Sequence, residues 1–420
     1  MEMQTDHFDR LARDVLAVAP ARAHDLARLR TLARRAAPPT VTVVGKYNHG
    51  KSRLLNELMG RDLFSVADRR ETVTLAEHLQ QDVRWLDAPG LDADVAELDD
   101  SHAQEATWLQ ADIRLFVHAA KEGELDATER GLLAALREDQ QRTRRQTLFV
   151  LTQVDQMADA AQLERVSAAI REQAPQLDLY PVSATRHRAG VEGGKKLLLE
   201  KSGIPALQGL LAEAMAQVPQ ARRHETALLF GELAAQLTQQ GERAQQQQQT
   251  LQQRQQQQRQ DFETGLAEVL EKVAQDLLPV LEVQGIDAAL IPDSAADEFK
   301  LTAGKRERAR IQIAYSRACI AIRGHLVKHG VEGLPAAQQT SVRSLDTVMV
   351  AVMGVSVKYR DDLRRRFCEP AGRAQLTDAF LHYYELSEDR QALVQALVEA
   401  GQALQAARRA QQSLAQLEAL

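Results

Sequence analysis

Between residues 6 and 36, apolar side chains recur every three or four positions: Phe8, Leu11, Val15 and Val18, then Leu26, Leu29 and Leu32. That spacing places them on one face of an amphipathic helix, interrupted near Pro20 and ended by Pro38-Pro39. From Thr40 the period changes. Val41-Thr42-Val43-Val44 is a short β-branched run, and comparable runs return at Val83–Leu86, Ile113–Val117, Leu148–Leu151 and Leu179–Val182. Amphipathic stretches at 51–60, 127–138 and 160–173 lie between most of them. Strand and helix in alternation predict a mostly parallel sheet with helices on both faces. With a closing helix from Ile204 to Val218, one α/β domain is expected from about 38 to 219.

No strand pattern follows Pro219. Residues 222–283 predict a long helix, with breaks or kinks only at Gly231, Gly241, Gly265 and Pro279. Phe230, Leu237, Ala244 and Leu251 stand seven apart, a single narrow apolar stripe set among glutamines that include Gln245–Gln249 and Gln255–Gln258. A Gln-rich linker is the alternative; Gln and Arg without Pro or Ser favour helix. Further helices are expected at 296–329, 341–367 and 374–420, the last with Leu393, Leu397, Leu404, Leu414 and Leu417 on one broad face. Three parts are therefore expected. Residues 1–37 form a helix packing with the C-terminal helical region, 38–219 form the α/β domain, and 220–420 form an α-helical bundle or stalk.

Composition narrows the class. At 420 residues the chain exceeds one ordinary core. Its 44% hydrophobic and 26% charged residues suit a globular protein, and the aromatic share of 4% suits extended helix. A net charge of -6 supplies no general attraction for nucleic acid. Cys319 and Cys368 are far apart, which fits a reducing compartment without disulfides. Residues 1–6 have no secretory signature, and the longest apolar run, Val348–Val355, is short of the ~18 residues that span a bilayer. A cytoplasmic protein is expected.

The sharpest signal is Gly45-Lys46-Tyr47-Asn48-His49-Gly50-Lys51-Ser52, a G-x-x-x-x-G-K-S loop between a β-branched run and the helical Leu54–Leu58. Its glycines let backbone N–H groups close on phosphate oxygens, and the following helix aims its positive end at them. Lys51 would neutralise β- and γ-phosphate charge, and the Ser52 hydroxyl would ligate Mg²⁺. Gly45, Asn48, His49, Gly50, Lys51, Ser52 and Arg53 are the expected phosphate-binding residues. Asp87-Ala88-Pro89-Gly90 ends the second run. There Asp87 can hold Mg²⁺ through water, and the Gly90 N–H can meet the γ-phosphate. Thr152-Gln153-Val154-Asp155 and Ser183-Ala184-Thr185 end the fourth and fifth runs. Asp155 can accept both N1–H and the exocyclic amine of guanine, a donor pair adenine lacks, while the Ala184 N–H can reach O6. Ligands of parallel sheets bind at the carboxyl ends of the strands, where all these segments fall.

Together the motifs resemble the five G motifs of TRAFAC-class P-loop GTPases over residues 40–218, most closely the Era-like and dynamin-like branch, including bacterial dynamin-like GTPases. The resemblance implies a GTPase that turns GTP into GDP and phosphate with Mg²⁺. It implies catalytic roles for Lys51, Asn48 and Thr72, and metal contacts from Ser52, Thr72 and Asp87. Thr72, preferred to Thr74 on spacing, takes the switch I position. Asn48 stands where potassium-stimulated Era-like GTPases carry an Asn that coordinates the ion, so K⁺ is the implied second cation. Three departures matter: Gln153 replaces a Lys whose stem covers the guanine face, Thr152 replaces Asn, and Ala88 replaces Thr. Leu91 stands where Ras-like proteins carry a water-orienting Gln, and a leucine cannot hydrogen-bond water. Slow hydrolysis is expected unless charge or orientation comes from elsewhere.

A helix before the G domain and a long helical region after it resemble the dynamin layout. No G-x-x-G platform or aromatic–basic interleaving points to nucleic acid. The clusters Lys305–Arg310 and Arg364–Arg366 read as solvated helix faces. The stretch 345–357 reads as a buried helix in preference to a membrane-touching tip. Two functions stand side by side. One is a dynamin-like GTPase with nucleotide-dependent assembly through its helical region, a homo-dimer through the G domain and peripheral membrane contact. The other is a slow regulatory switch whose helical half binds a hetero-partner.

Overall fold

Val41, Val43 and Val44 are all fully or almost fully buried, because strand β1 (Thr40–Val44) has apolar layers on both sides. The computed structural model describes residues 2–33, 37–64, 76–87, 105–175, 177–341 and 346–420, without the side chains of 2–5 and 296. After β1 come helix α3 (Lys51–Met59), strands β2 (Ala76–Gln80), β3 (Val83–Asp87) and β4 (Ile113–Ala119), and helix α4 (Ala127–Thr143). Strand β5 (Gln146–Thr152), helix α5 (Ala160–Gln173), strand β6 (Leu179–Pro181) and helices α6 (Ala184–Glu192) and α7 (Lys196–Lys201) complete the α/β part. Two helices precede it, α1 (Glu2–Val18) and α2 (Ala23–Leu32).

The sheet order is β2-β3-β1-β4-β5-β6, and every pairing is parallel except β2 with β3. On one face Val41, Val43, Ile113, Leu115 and Val117 pack with Leu54 and Leu55 of α3 and with Ile204, Leu207 and Leu211. On the other, Val44, Phe116, Phe149 and Leu151 meet Leu133, Leu136 and Ile170. The expected α/β architecture is present: a mostly parallel sheet covered on both faces. Strand β2 escapes the hydrophobic pattern. It is an edge strand joined to β3 by Gln81-Asp82, whose φ angles of 50° and 57° form a tight turn without glycine.

Helix α8 (Ile204–Leu281) is continuous for 78 residues. The expected break after Val218 is absent. Pro219 has no N–H and leaves one helix carbonyl without that donor, yet Leu211, Ala214 and Val218 before it and Leu229, Phe230 and Leu233 after it are all buried, and this packing keeps the chain helical. The Gln-rich stretch 245–258 is helical throughout. Beyond it lie α9 (Ala303–Lys328), α10 (Val348–Met353), α11 (Arg360–Leu363), α12 (Pro370–Glu385) and α13 (Glu388–Ala419). The helix expected over 341–367 is shorter and divided. Gly354 at φ 74° stops α10, whose Val348 and Met353 are buried, and the Tyr315 hydroxyl caps the break by donating to the Met353 carbonyl at 2.5 Å.

The chain forms two compact units, 1–239 with 407–420, and 240–406. In the first, Phe8, Leu11, Val15, Leu26 and Leu29 share a core with Leu229, Phe230, Leu233 and Leu237 of α8 and with Ala410, Leu414 and Leu417 of α13. In the second, Phe262, Leu266, Leu270, Ile311, Tyr315, Ile322, Phe367 and Phe380 form the core, and Phe262 stacks on Tyr384 at 4.2 Å. Among the described residues no helix is long and apolar enough to cross a membrane.

Candidate functional site

The loop that leaves β1 is shaped by backbone demands only glycine meets. A Cβ on Gly45 would lie 2.2 Å from the Val117 carbonyl oxygen, and Gly50 takes φ 80° as it opens α3. Asn48, at φ 61°, accepts the same left-handed region, as Asn tolerates better than most residues. Leu54 then donates its N–H to the Gly50 carbonyl at 2.9 Å, which starts the helix and leaves earlier N–H groups facing the loop. Lys51, 8% exposed, lies along the loop and donates from Nζ to the carbonyls of Gly45 at 3.0 Å and Lys46 at 2.8 Å.

Ser52 and Asp87 meet beside it, the Ser52 hydroxyl donating to the carboxylate at 2.5 Å. Burial pushes the Asp87 carboxyl above the ordinary carboxylate range, with the Ser52 hydrogen bond and the Lys51 charge pulling it back. Both are hard oxygen donors of the kind Mg²⁺ takes, so the residues present fit that ion. Arg53 follows in the first turn of α3.

The β5 end is tied to the loop by two long-range bonds. Thr152 Oγ1 donates to the His49 carbonyl at 2.6 Å, and Gln153 Nε2 donates to the Asn48 carbonyl at 2.7 Å. Gln153, at φ 58°, thus holds the loop through its amide. Asp155 accepts from the Ser183 hydroxyl at 2.6 Å, which orients its carboxylate. Ser183 also caps α6, accepting from the Arg186 N–H, and Ala184 and Thr185 form the first turn. Gly45, Asn48, Lys51, Ser52, Asp87, Thr152, Gln153, Asp155 and Ser183 therefore gather at the carboxyl edge of the sheet. Thr72, Thr74, Gly90 and Leu91 lie outside the described residues.

His49 behaves differently from its neighbours in the loop. Its ring is buried, with Nδ1 3.3 Å from the Val117 carbonyl, and faces His118 edge-on at 5.1 Å between centroids. Burial, and after it the facing His118, push its pKa down to about 4. Only its backbone remains for a phosphate. Sequence reading missed the partners of this ring, His118 and Glu129, and the ion pair of Lys46 with Asp126. One signal was available: Asp126-Ala127-Thr128-Glu129 is a capping-box pattern, and both of its reciprocal bonds form.

A family model described as 50S ribosome-binding GTPase matches residues 40–153. An uncharacterized protein of Acinetobacter baylyi is 55% identical over 379 residues, 90% of either chain. GTPase Der of Streptococcus mutans is 36% identical over 98 residues, 22% of each chain. A solved structure of an oligomerised bacterial dynamin pair aligns over 96% of this chain and 75% of that one, at 14% identity and a TM-score of 0.38. The chain belongs to the P-loop GTPases, in one family with the Acinetobacter baylyi protein.

Proposed function

We propose that this chain binds GTP through the loop 45–53 and hydrolyses it to GDP and phosphate. The observation that carries the reading is the meeting of Lys51, the Ser52–Asp87 pair, and the Thr152, Gln153 and Asp155 group at one edge of the sheet. Lys51 supplies the cation for phosphate charge, and Asp155, steadied by Ser183, reads guanine with the Ala184 and Thr185 turn. P-loop GTPases use Mg²⁺; Ser52 and Asp87 hold it here, with Thr72 joining in the GTP state and Gly90 meeting the γ-phosphate. Asn48 provides a hard oxygen for a potassium ion against the phosphates.

The role of the helices is dynamin-like, with 1–37 and 220–420 acting together as the assembly region of the 38–219 G domain. Support comes from the core in which the first 32 residues meet 229–237 and 410–417, so both ends of the chain converge within the unit that carries the G domain. A slow cytoplasmic switch with a hetero-partner at the helices is the second reading, favoured by the leucine at position 91. The test begins with Lys51→Ala and labelled GTP. Loss of the charge-assisted contacts, about 1.5–3 kcal/mol each, should weaken binding by at least tenfold. Undiminished affinity would refute the site. Light scattering with a non-hydrolysable GTP analogue then separates the roles: a nucleotide-dependent dimer supports assembly, and a monomer throughout supports the switch.

A further inference from the structure

Behind the phosphate loop three metal-ligating side chains converge from three elements: His49 of the loop, His118 of β4 and Glu129 in the first turn of α4. Their side chains are 5%, 0% and 6% exposed, and one ligand atom from each lies within 4.8 Å of the other two. His118 Nδ1 is 2.8 Å from Glu129 Oε1, and its Nε2 is 3.0 Å from the Gly123 carbonyl. Both facing groups are acceptors, whereas a neutral imidazole carries a single N–H. With that N–H on Gly123, a lone pair points at a carboxylate, and a cation must lie between them. His49 brings a single nitrogen to the same place, its Nδ1 lying 3.5 Å from the same Oε1 and 3.3 Å from the Val117 carbonyl, so one N–H on a neutral ring can serve both or its lone pair can face the carboxylate. One nitrogen from each imidazole thus converges on one carboxylate oxygen. Protons on those nitrogens can satisfy the contacts, with a second proton needed on His118 alone, and so can one divalent ion.

The outer contacts favour the ion. The bond from His118 Nε2 to a backbone carbonyl is the second-shell contact that orients metal-bound histidines. The other carboxylate oxygen, Glu129 Oε2, accepts the Asp126 N–H at 3.2 Å, which orients the carboxylate in the same way. We propose that His49, His118 and Glu129 bind a zinc-class divalent ion beneath the phosphate loop. Two imidazole nitrogens and one carboxylate suit Zn²⁺ and are a poor set for Mg²⁺, so this site is separate from the oxygen pair Ser52 and Asp87. The Val117 carbonyl, 3.3 Å from His49 Nδ1, offers a fourth donor atom. Ligand atoms about 2.0–2.2 Å from a tetrahedral ion stand roughly 3.4 Å apart, so the 2.8 Å pair opens by about half an ångström as the ion replaces the proton. The ion would pin the loop to α4 and β4.

The experiment uses the tag-free full chain, with metal content read by mass spectrometry and binding by Zn²⁺ and Co²⁺ titration. About one Zn²⁺ per chain should be retained, and Co²⁺ should give the visible absorption of a tetrahedral site. His118→Gln and Glu129→Gln should each weaken binding by about tenfold or more with the circular dichroism unchanged, since Gln at 129 still serves the helix cap. Zn²⁺ bound equally by wild type and both variants would overturn the proposal. Wild type that takes up neither ion at tenfold excess would overturn it too, and that result needs no variant to fold.

Discussion

Arg28 of α2 is 2% exposed and grips Glu225 of α8, itself 1% exposed, in a bidentate pair. Arg28 Nε lies 2.9 Å from one carboxylate oxygen and Nη2 2.7 Å from the other, while Nη1 donates to the Leu109 carbonyl at 2.8 Å. Arg28→Ala removes all three bonds and leaves a buried carboxylate. Breaking a buried pair costs about 3–5 kcal/mol. Arg145, whose Nε stays 3.3 Å from Glu225, keeps the loss near the lower end, about 3 kcal/mol. In a unit of this size 1 kcal/mol moves the melting temperature by about 2–4 °C, so calorimetry on the full chain should show a fall of roughly 6–12 °C. In Arg28→Met/Glu225→Leu both charges are gone, and much of the loss should return, with a coupling energy of about 1 kcal/mol or more. An Arg28→Ala that moves the transition by under about 2 °C, or a double variant as destabilised as the sum of Arg28→Met and Glu225→Leu, would refute the view that this pair clamps α2 to α8.

Asp155→Asn should weaken GTP and favour xanthosine nucleotides, because the amide can donate to the added carbonyl; equal wild-type affinity for ATP and GTP would remove the guanine assignment. Gln153→Ala deletes the amide bond to the Asn48 carbonyl, worth about 1 kcal/mol, so GTP affinity should fall roughly fivefold by titration calorimetry, and unchanged affinity would show that this tether does not shape the loop. Hydrolysis should be faster in potassium than in sodium or a bulky organic cation, and Asn48→Ala should abolish the difference; identical rates in all three salts would eliminate the ion. Burial alone would raise the Asp139 carboxyl, but Arg145 and Arg114 outweigh it and hold it below its ordinary value. Its stabilising contribution is therefore full above about pH 4 and lost as pH falls through the depressed folded value. Asp139→Asn should flatten that part of the acid limb of a melting-temperature profile, and an acid limb identical to wild type would remove Asp139 as its source.

Residues whose roles depend on their chain neighbours were readable from sequence. Strands β1, β3, β4 and β5 announce themselves because strands covered on both faces read as largely apolar, β-branched runs, and the short β6 follows the same residue pattern. The loop Gly45–Ser52 is visible because its backbone needs glycine at set intervals, whatever surrounds it. Edge strand β2 carries no such signal, since among the described residues it pairs on one side only and two of its five residues are exposed. Helix α8 crosses Pro219 because buried side chains on both sides outweigh a local preference. Tertiary structure alone decided what long-range contacts govern. Gln153 reaches the Asn48 carbonyl across 105 positions, and the His49 ring turns inward to His118 and Glu129, away from the loop's mouth. The physical reason is the same in each case. A backbone angle or an apolar run is a property of a few adjacent residues, whereas the partner of a buried polar atom is whichever group the fold carries to it.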